Sequence, residues 1–272
     1  KNLLDKDDPT TIQVWHYYNG AQQEEFNRLV DEFNKTVGKE KGIIVEGSGQ
    51  GTISDLERNV LDSINGKAGA ADIPNIFAAY GDTAYQVDKL GYAVDLNKYF
   101  SKDELSKYVD GYLEEGHFSS KDTLKIFPVA KSVELFMLNK TDWEKFANAT
   151  GASTNDLNTI EGVTKVAEQY YNWTDSLTAA PNDGKAFFGR DAFANYMLVG
   201  YRQLATDIFS KKDNKIVLNF EADIAKKLWD NYYVPYISGY FSSSGKFRSD
   251  DIKIGNILAC VSSSSSVTYF PK

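Results

Sequence analysis

Only two histidines, His16 and His117, are available for general acid–base work in this chain of 272 residues, and Cys260 is its one cysteine. A serine nucleophile needs a base held against an exposed hydroxyl. His16 has Ser48 as a candidate partner, yet no G-x-S-x-G elbow surrounds that serine. Asp82 and Glu134 are the carboxylates that could serve a glycosidase, whose acid and base must stand at a set separation across the scissile bond. Neither His-x-x-x-His nor clustered cysteine occurs, so a metal site has no support from the sequence. The glycine-rich run 47–51 fails as a dinucleotide fingerprint, because G-x-G-x-x-G would need glycine where Thr52 stands, and no Gly-Lys-Ser/Thr follows. It reads instead as a flexible loop that lets backbone approach a ligand. No cofactor is expected.

What the residues favour is recognition. The chain holds 17 Tyr, 16 Phe and 4 Trp, more than core packing alone demands, and Tyr and Trp offer flat apolar faces with a polar handle. With 42% hydrophobic and 25% charged residues it is an ordinary globular protein. A net charge of −8 without a long Lys/Arg cluster argues against nucleic acid as the main partner. No apolar run approaches the roughly 20 residues that span a bilayer. Cys260 sits in the apolar run 257–261 and is expected to be a small buried hydrophobe; as the one cysteine it excludes disulfides within the chain and cysteine-based zinc sites. The polar, proline-broken start, residues 1–10, is expected to be a mature terminus or linker and not a signal peptide.

These side chains need elements to position them. Residues 11–17 alternate and are rich in strand formers. Phe26, Leu29, Val30, Phe33 and Val37 then recur at helical spacing, predicting a helix over 22–37 that ends near Gly38. Residues 43–45 make a second strand. A capping box at Ser54 opens a helix through Leu56, Val60, Leu61 and Ile64. Residues 73–79 make a third strand, with a helix to Leu90 behind it. This β-α-β-α-β order implies a parallel sheet. Ligands of such sheets gather at the carboxyl ends of the strands, which singles out the loops 15–20, 46–52 and 80–83 and, within them, Asn19, Ser48, Gln50, Tyr80 and Asp82.

The stretch 124–140 carries two short apolar runs, 125–129 and 133–138, expected as strands with Ala130, Lys131 and Ser132 between them. It reads as the crossing between a first α/β lobe, 1–127, and a second, 128–272, with the lysine and serine facing a cleft. Length favours two domains. The second lobe is expected to hold helices over 142–150, from Ile160 through Tyr170, over 195–204 and from Ala225 to Tyr232. A hairpin is expected at 208–218, and a loop opening at Trp173. The run 262–266 is five serines bounded by strand formers. It reads either as a flexible linker or as a strand-to-helix turn presenting hydroxyls to an oxygen-rich or anionic ligand.

Together these landmarks resemble the extracellular solute-binding proteins (family 1, carbohydrate type) of ABC transporters, the family of maltodextrin- and glycerol-phosphate-binding proteins. The landmarks are residues 12–17 before the first helix, 71–76 before Phe77-Ala78-Ala79, 91–99, 127–132 running on to Leu138-Asn139-Lys140, 213–220, and 247–254 before the serine turn. The resemblance implies an α/β, two-lobed, periplasmic-binding-protein-like (type II) fold, each lobe a mostly parallel sheet flanked by helices. It implies a receptor that closes on a carbohydrate in an interlobe cleft and delivers it to the permease. Tyr18, Asn19, Gln50, Gly51, Tyr80 and Asp82 match its first-lobe ligand loops, Lys131 and Ser132 its hinge, and Arg190, Ser262, Ser263 and Ser264 its second-lobe ligand positions. It also implies a monomer that is extracellular, a cell-surface lipoprotein or periplasmic, touching membrane only through a removed N-terminal lipid anchor. Family members continue past Pro271-Lys272, so the chain is expected to be C-terminally truncated. The competing readings are a glycerol-phosphate or phosphosugar receptor, a carbohydrate-active hydrolase and, more distantly, an adhesin.

Overall fold

The computed structural model describes residues 4–213 and 215–270. Asn214 in the expected hairpin, the first three residues, and Pro271 and Lys272 lie outside the described residues. The chain divides into two compact units, Lys1–Ala130 and Lys131–Lys272.

In the first unit three strands, β1 (Thr10–His16), β2 (Ile43–Gly49) and β3 (Ile76–Phe77), form a parallel sheet in the order β2-β1-β3. The helix Gly20–Phe33 follows β1 and packs Phe26 over β2. There a Cβ on Gly47 would stand 2.7 Å from the Phe26 ring, so only glycine permits the approach. Helical backbone continues through Asn34–Gly38 and Lys39–Lys41, beyond the expected stop at Gly38. It ends at Gly42, whose φ of 71° is the left-handed conformation that glycine adopts without steric cost. The helix Ile53–Ile64 is capped by Thr52 and not by Ser54. The Thr52 hydroxyl accepts from the Asp55 N–H (3.1 Å) while the Asp55 carboxylate accepts from the Thr52 N–H (3.0 Å). Its buried face, Leu56 and Val60, meets Trp15 and Val87. Each such aliphatic side chain contributes roughly 1.5–3 kcal/mol on burial.

Two expected strands are shortened or absent, for local reasons. Pro74 has no N–H to donate, and the Gln13 N–H is taken by the side chain of Asn75 (2.8 Å), so the β3 ladder begins only at Ile76. Residues 125–129 are not a strand. Lys125 reaches Asp88 (3.0 Å) and the Ala93 carbonyl (2.9 Å), and Phe127 stacks on Phe100 with ring centres 4.6 Å apart. These side chains are used singly, and no neighbouring strand offers a ladder.

The second unit holds β4 (Glu134–Leu138), β5 (Phe188–Arg190), β6 (Phe209–Lys212), β7 (Lys215–Leu218) and β8 (Ala259–Ser263). The main sheet runs β4-β8-β5, with β4 antiparallel and β5 parallel to β8, and β6 and β7 pair as the expected hairpin. β5, only three residues long, gave no sequence signal. Helices Lys140–Thr150 and Ile160–Asp175 cover the sheet, burying Phe146, Val166 and Ala167 against Phe187 and Ala259. Trp173 lies within the second of these helices and does not open a loop, because helical spacing places it beside Tyr170 and against Phe146 (5.6 Å between ring centres). Among the described residues no helix is long and apolar enough to cross a membrane.

Candidate functional site

Parallel register brings the first unit's three loops to one edge. Trp15 stands opposite Ser48 and Phe77, and His16 opposite Gly49, so all three strands release their chains together. The Gln50 N–H donates to the His16 carbonyl (2.8 Å) and the Ala78 N–H to the Trp15 carbonyl (3.0 Å), tying the loops at their roots. Just beyond, the phenols of Tyr17 and Tyr80 come within 3.4 Å. Burial first, then the Tyr80 contact, pushes the Tyr17 phenol well above its ordinary range, so it stays protonated and available as a donor. Tyr80 is 58% exposed. Tyr18 is half-buried, stacked on His16 and tilted against Phe26. Tyr17 was not singled out from sequence; its adjacency to Tyr18 was the available signal.

The expected first-unit residues divide by what they already bind. Asn19 precedes the helix Gly20–Phe33 in extended backbone, exposed, and its side chain makes no capping hydrogen bond. Asp82 is exposed in the first turn of the helix Gly81–Lys89. Gln50 is committed at both ends: its amide nitrogen donates to Ser48 Oγ and its oxygen accepts from Asn59, both at 2.9 Å. It therefore shapes the loop. Gly51 holds φ at 95°, where a Cβ would also stand 2.7 Å from the Asp55 carboxylate, so the turn requires glycine.

In the second unit the same logic gathers a different set. Glu134 stands opposite Ser263 and Arg190 opposite Val261, so the start of β4 and the ends of β5 and β8 share one sheet end. Lys131 and Ser132, both exposed, lead directly into β4 there. The Ser264 N–H donates to the Val133 carbonyl (2.7 Å), pinning the serine turn to that segment. The turn is a strand followed by the short helix Ser264–Tyr269 and not a linker. The Ser263 hydroxyl accepts from the Ser265 N–H (3.3 Å). Ser262 differs from its neighbours. It lies in β8, buried, and its hydroxyl donates to Asp191 in a short hydrogen bond, so it braces the strand end.

Two arginines flank this sheet end. Arg248 is buried with Asp251, Nε to Oδ2 3.0 Å, and its backbone N–H donates to Asp191 (2.8 Å). Arg190 is half-buried, its guanidinium 4.5 Å from the ring centre of Tyr196 and 5.3 Å from that of Phe188. Burial lowers its pKa from the ordinary arginine value, with the neighbouring Tyr196, Glu134 and Tyr232 acting the other way. Among the described residues its guanidinium makes no hydrogen bond or ion pair.

The His16–Ser48 pairing does not assemble. His16 is buried, and its Nδ1 accepts from the Tyr18 N–H (3.1 Å), which places any proton of the neutral ring on Nε2. Ser48 Oγ is engaged by Gln50 and not by His16. Burial pushes the Cys260 thiol up to about 12, which leaves it inert as a nucleophile. Among the described residues no three His, Cys, Asp or Glu side chains are grouped to hold a metal ion. Within the first unit aromatic faces, phenols and an amide are exposed at one sheet edge, and within the second unit hydroxyls and a cation stand at one sheet end.

Comparison with known proteins identifies the family and the fold. Residues 28–270 match the family described as bacterial extracellular solute-binding protein. Similar solved structures include the galacto-N-biose/lacto-N-biose I-binding protein of the ABC transporter from Bifidobacterium longum, 17% identical, with a TM-score of 0.73 over 98% of this chain and 62% of that one. Another is the cyclic alpha-maltosyl-1,6-maltose binding protein from Arthrobacter globiformis, 19% identical, TM-score 0.66, over 96% and 62%. A third is UgpB from Mycobacterium tuberculosis, in complex with glycerophosphocholine, 15% identical, TM-score 0.70, over 95% and 61%. At these identities the likeness shows a shared fold. The chain spans about three fifths of the length of each. Among curated proteins no sequence match was found.

Proposed function

The chain belongs to the bacterial extracellular solute-binding proteins, and from that membership we propose that it is a receptor for a carbohydrate solute, handed unaltered to the permease of an ABC importer. The observation that carries the reading is the Tyr17–Tyr80 phenol pair at the common edge of three parallel strands, with the uncommitted side chain of Asn19 beside it. Sugar rings stack on such faces and their hydroxyls pair with such groups. In the second unit Ser263, Ser264 and the residues leading into β4 supply the matching polar groups. Lys131 and Ser132 are proposed as the start of the second lobe, with the crossing from 128 onward acting as the hinge. Extracellular placement follows from the family, and a lipid-anchored monomer is the form we propose.

Titration calorimetry against neutral oligosaccharides, uronic-acid sugars and sugar phosphates tests the proposal. Saturable binding without product is the expected result, and Tyr80→Ala should weaken it by the roughly 1–3 kcal/mol typical of a stacked aromatic contact at an exposed edge. Turnover of a glycoside at an enzymatic rate would instead install the hydrolase reading.

A further inference from the structure

Arginines in this chain follow a rule with one departure. Arg28 pairs with Glu25, Arg58 with Asp55, Arg202 with Asp207 and Arg248 with Asp251. Arg190, more enclosed than the first three, has no carboxylate within 4.0 Å and no hydrogen bond from its guanidinium among the described residues. Its guanidinium carbon lies over the ring of Tyr196, whose own hydroxyl is spent on the Leu228 carbonyl at 2.6 Å. The nearest acid that is felt electrostatically, Glu134, accepts instead from the Asn195 amide at 3.0 Å. A desolvated guanidinium with idle donors is costly by itself. Contact with two rings restricts the guanidinium, which lowers the entropy lost when a fork-shaped partner arrives.

Resting on the receptor reading, we propose that Arg190 is a specificity-determining residue and that the preferred solute bears an anionic group, a carboxylate or phosphate on a sugar. Two parallel N–H···O contacts from one guanidinium match the spacing of carboxylate or phosphate oxygens. The location suits this role, because Arg190 ends β5 at the sheet end where Ser263 and the start of β4 converge.

The test is calorimetric titration of the whole chain with three probes of similar size: a glucuronic-acid disaccharide, maltose 1-phosphate, and maltose. The expected result is preference for one acidic probe over maltose, which also tells carboxylate from phosphate. Arg190→Gln should weaken that probe roughly 10- to 100-fold, with Arg190→Lys falling between, since it keeps charge but loses the fork. Circular dichroism and thermal midpoints establish that both variants are folded. Maltose binding as tightly as the acidic probes, with Arg190→Gln without effect on them, overturns the inference and leaves the receptor standing. Binding by no sugar, charged or neutral, overturns the receptor reading and this inference with it.

Discussion

Arg248 and Arg190 stand at the same sheet end of the second unit and meet opposite fates. Arg248 is walled in by Asp251, fully buried, and by Asp191, whose other oxygen accepts from Ser262. Asp251 itself accepts from Ser244 Oγ and the Gly245 N–H, each at 2.7 Å. Arg190 lies over two rings, and among the described residues its guanidinium donors have no acceptor. The first unit repeats the contrast in neutral groups. Gln50 is spent at both ends, while Asn19 makes no capping bond. The difference separates polar groups that build the protein from polar groups held ready for something else.

The sharpest way to break this comparison is Asp251→Ala. Removing the nearer carboxylate leaves buried Arg248 only the more distant Asp191 as a counter-charge and strips Ser244 and Gly245 of their acceptor, so a loss of about 3–5 kcal/mol is expected, read from the denaturant midpoint of the second unit's transition. A cost below about 1 kcal/mol would mean that the network is not structural. Asn59→Ala is the neutral counterpart. It orphans the Gln50 oxygen in a half-buried place and should cost about 1 kcal/mol, with weakened sugar binding as the loop loses its brace.

A third test uses pH. Burial lowers the His16 pKa below its ordinary 6.5, and the Tyr18 N–H already occupies Nδ1. The unfolded chain then binds the proton more readily than the fold, so stability rises with pH in this window. The contribution is complete above about 6.5 and is lost progressively as pH falls below it. Denaturant midpoints between pH 5 and 8 should show this slope, and His16→Gln should flatten it. An unchanged slope in the variant would place the titration elsewhere.

Much of the scaffold was legible beforehand because it follows from periodicity. The strand formers of β1, the helical spacing of Leu56 and Val60, and the apolar run just before Asn139 each marked an element that forms, and the helix buries the face its spacing named. Errors arose where one side chain outbid a pattern. Asn75 took a ladder donor and shortened β3, Thr52 displaced Ser54 as the cap, and Lys125 drew its segment away from any sheet. At the candidate site, residue type pointed to Tyr18, Asn19 and Tyr80. Whether a polar group is spent or idle depends on partners distant in sequence. Ser262 and Asp191 lie 71 positions apart, and that bond moves Ser262 from the expected contact set to the supporting one.

The smallest expected effect tests the contrast from its other side. If Arg190 is idle in the ligand-free protein, Arg190→Gln removes no hydrogen bond and no ion pair, only the cation's contact with Tyr196 and Phe188. Cation–π contacts at partly open sites contribute roughly 0.5–1 kcal/mol. Relief from desolvating an unpaired charge offsets this. The net change in stability should therefore fall within about 0.5 kcal/mol of zero, by the same midpoint measurement that reads Asp251→Ala. A loss comparable to that of Asp251→Ala would make Arg190 a second structural arginine. Near-zero stability cost together with lost affinity is the signature of a side chain whose partner is the solute, and no purely architectural arginine produces that pair of results.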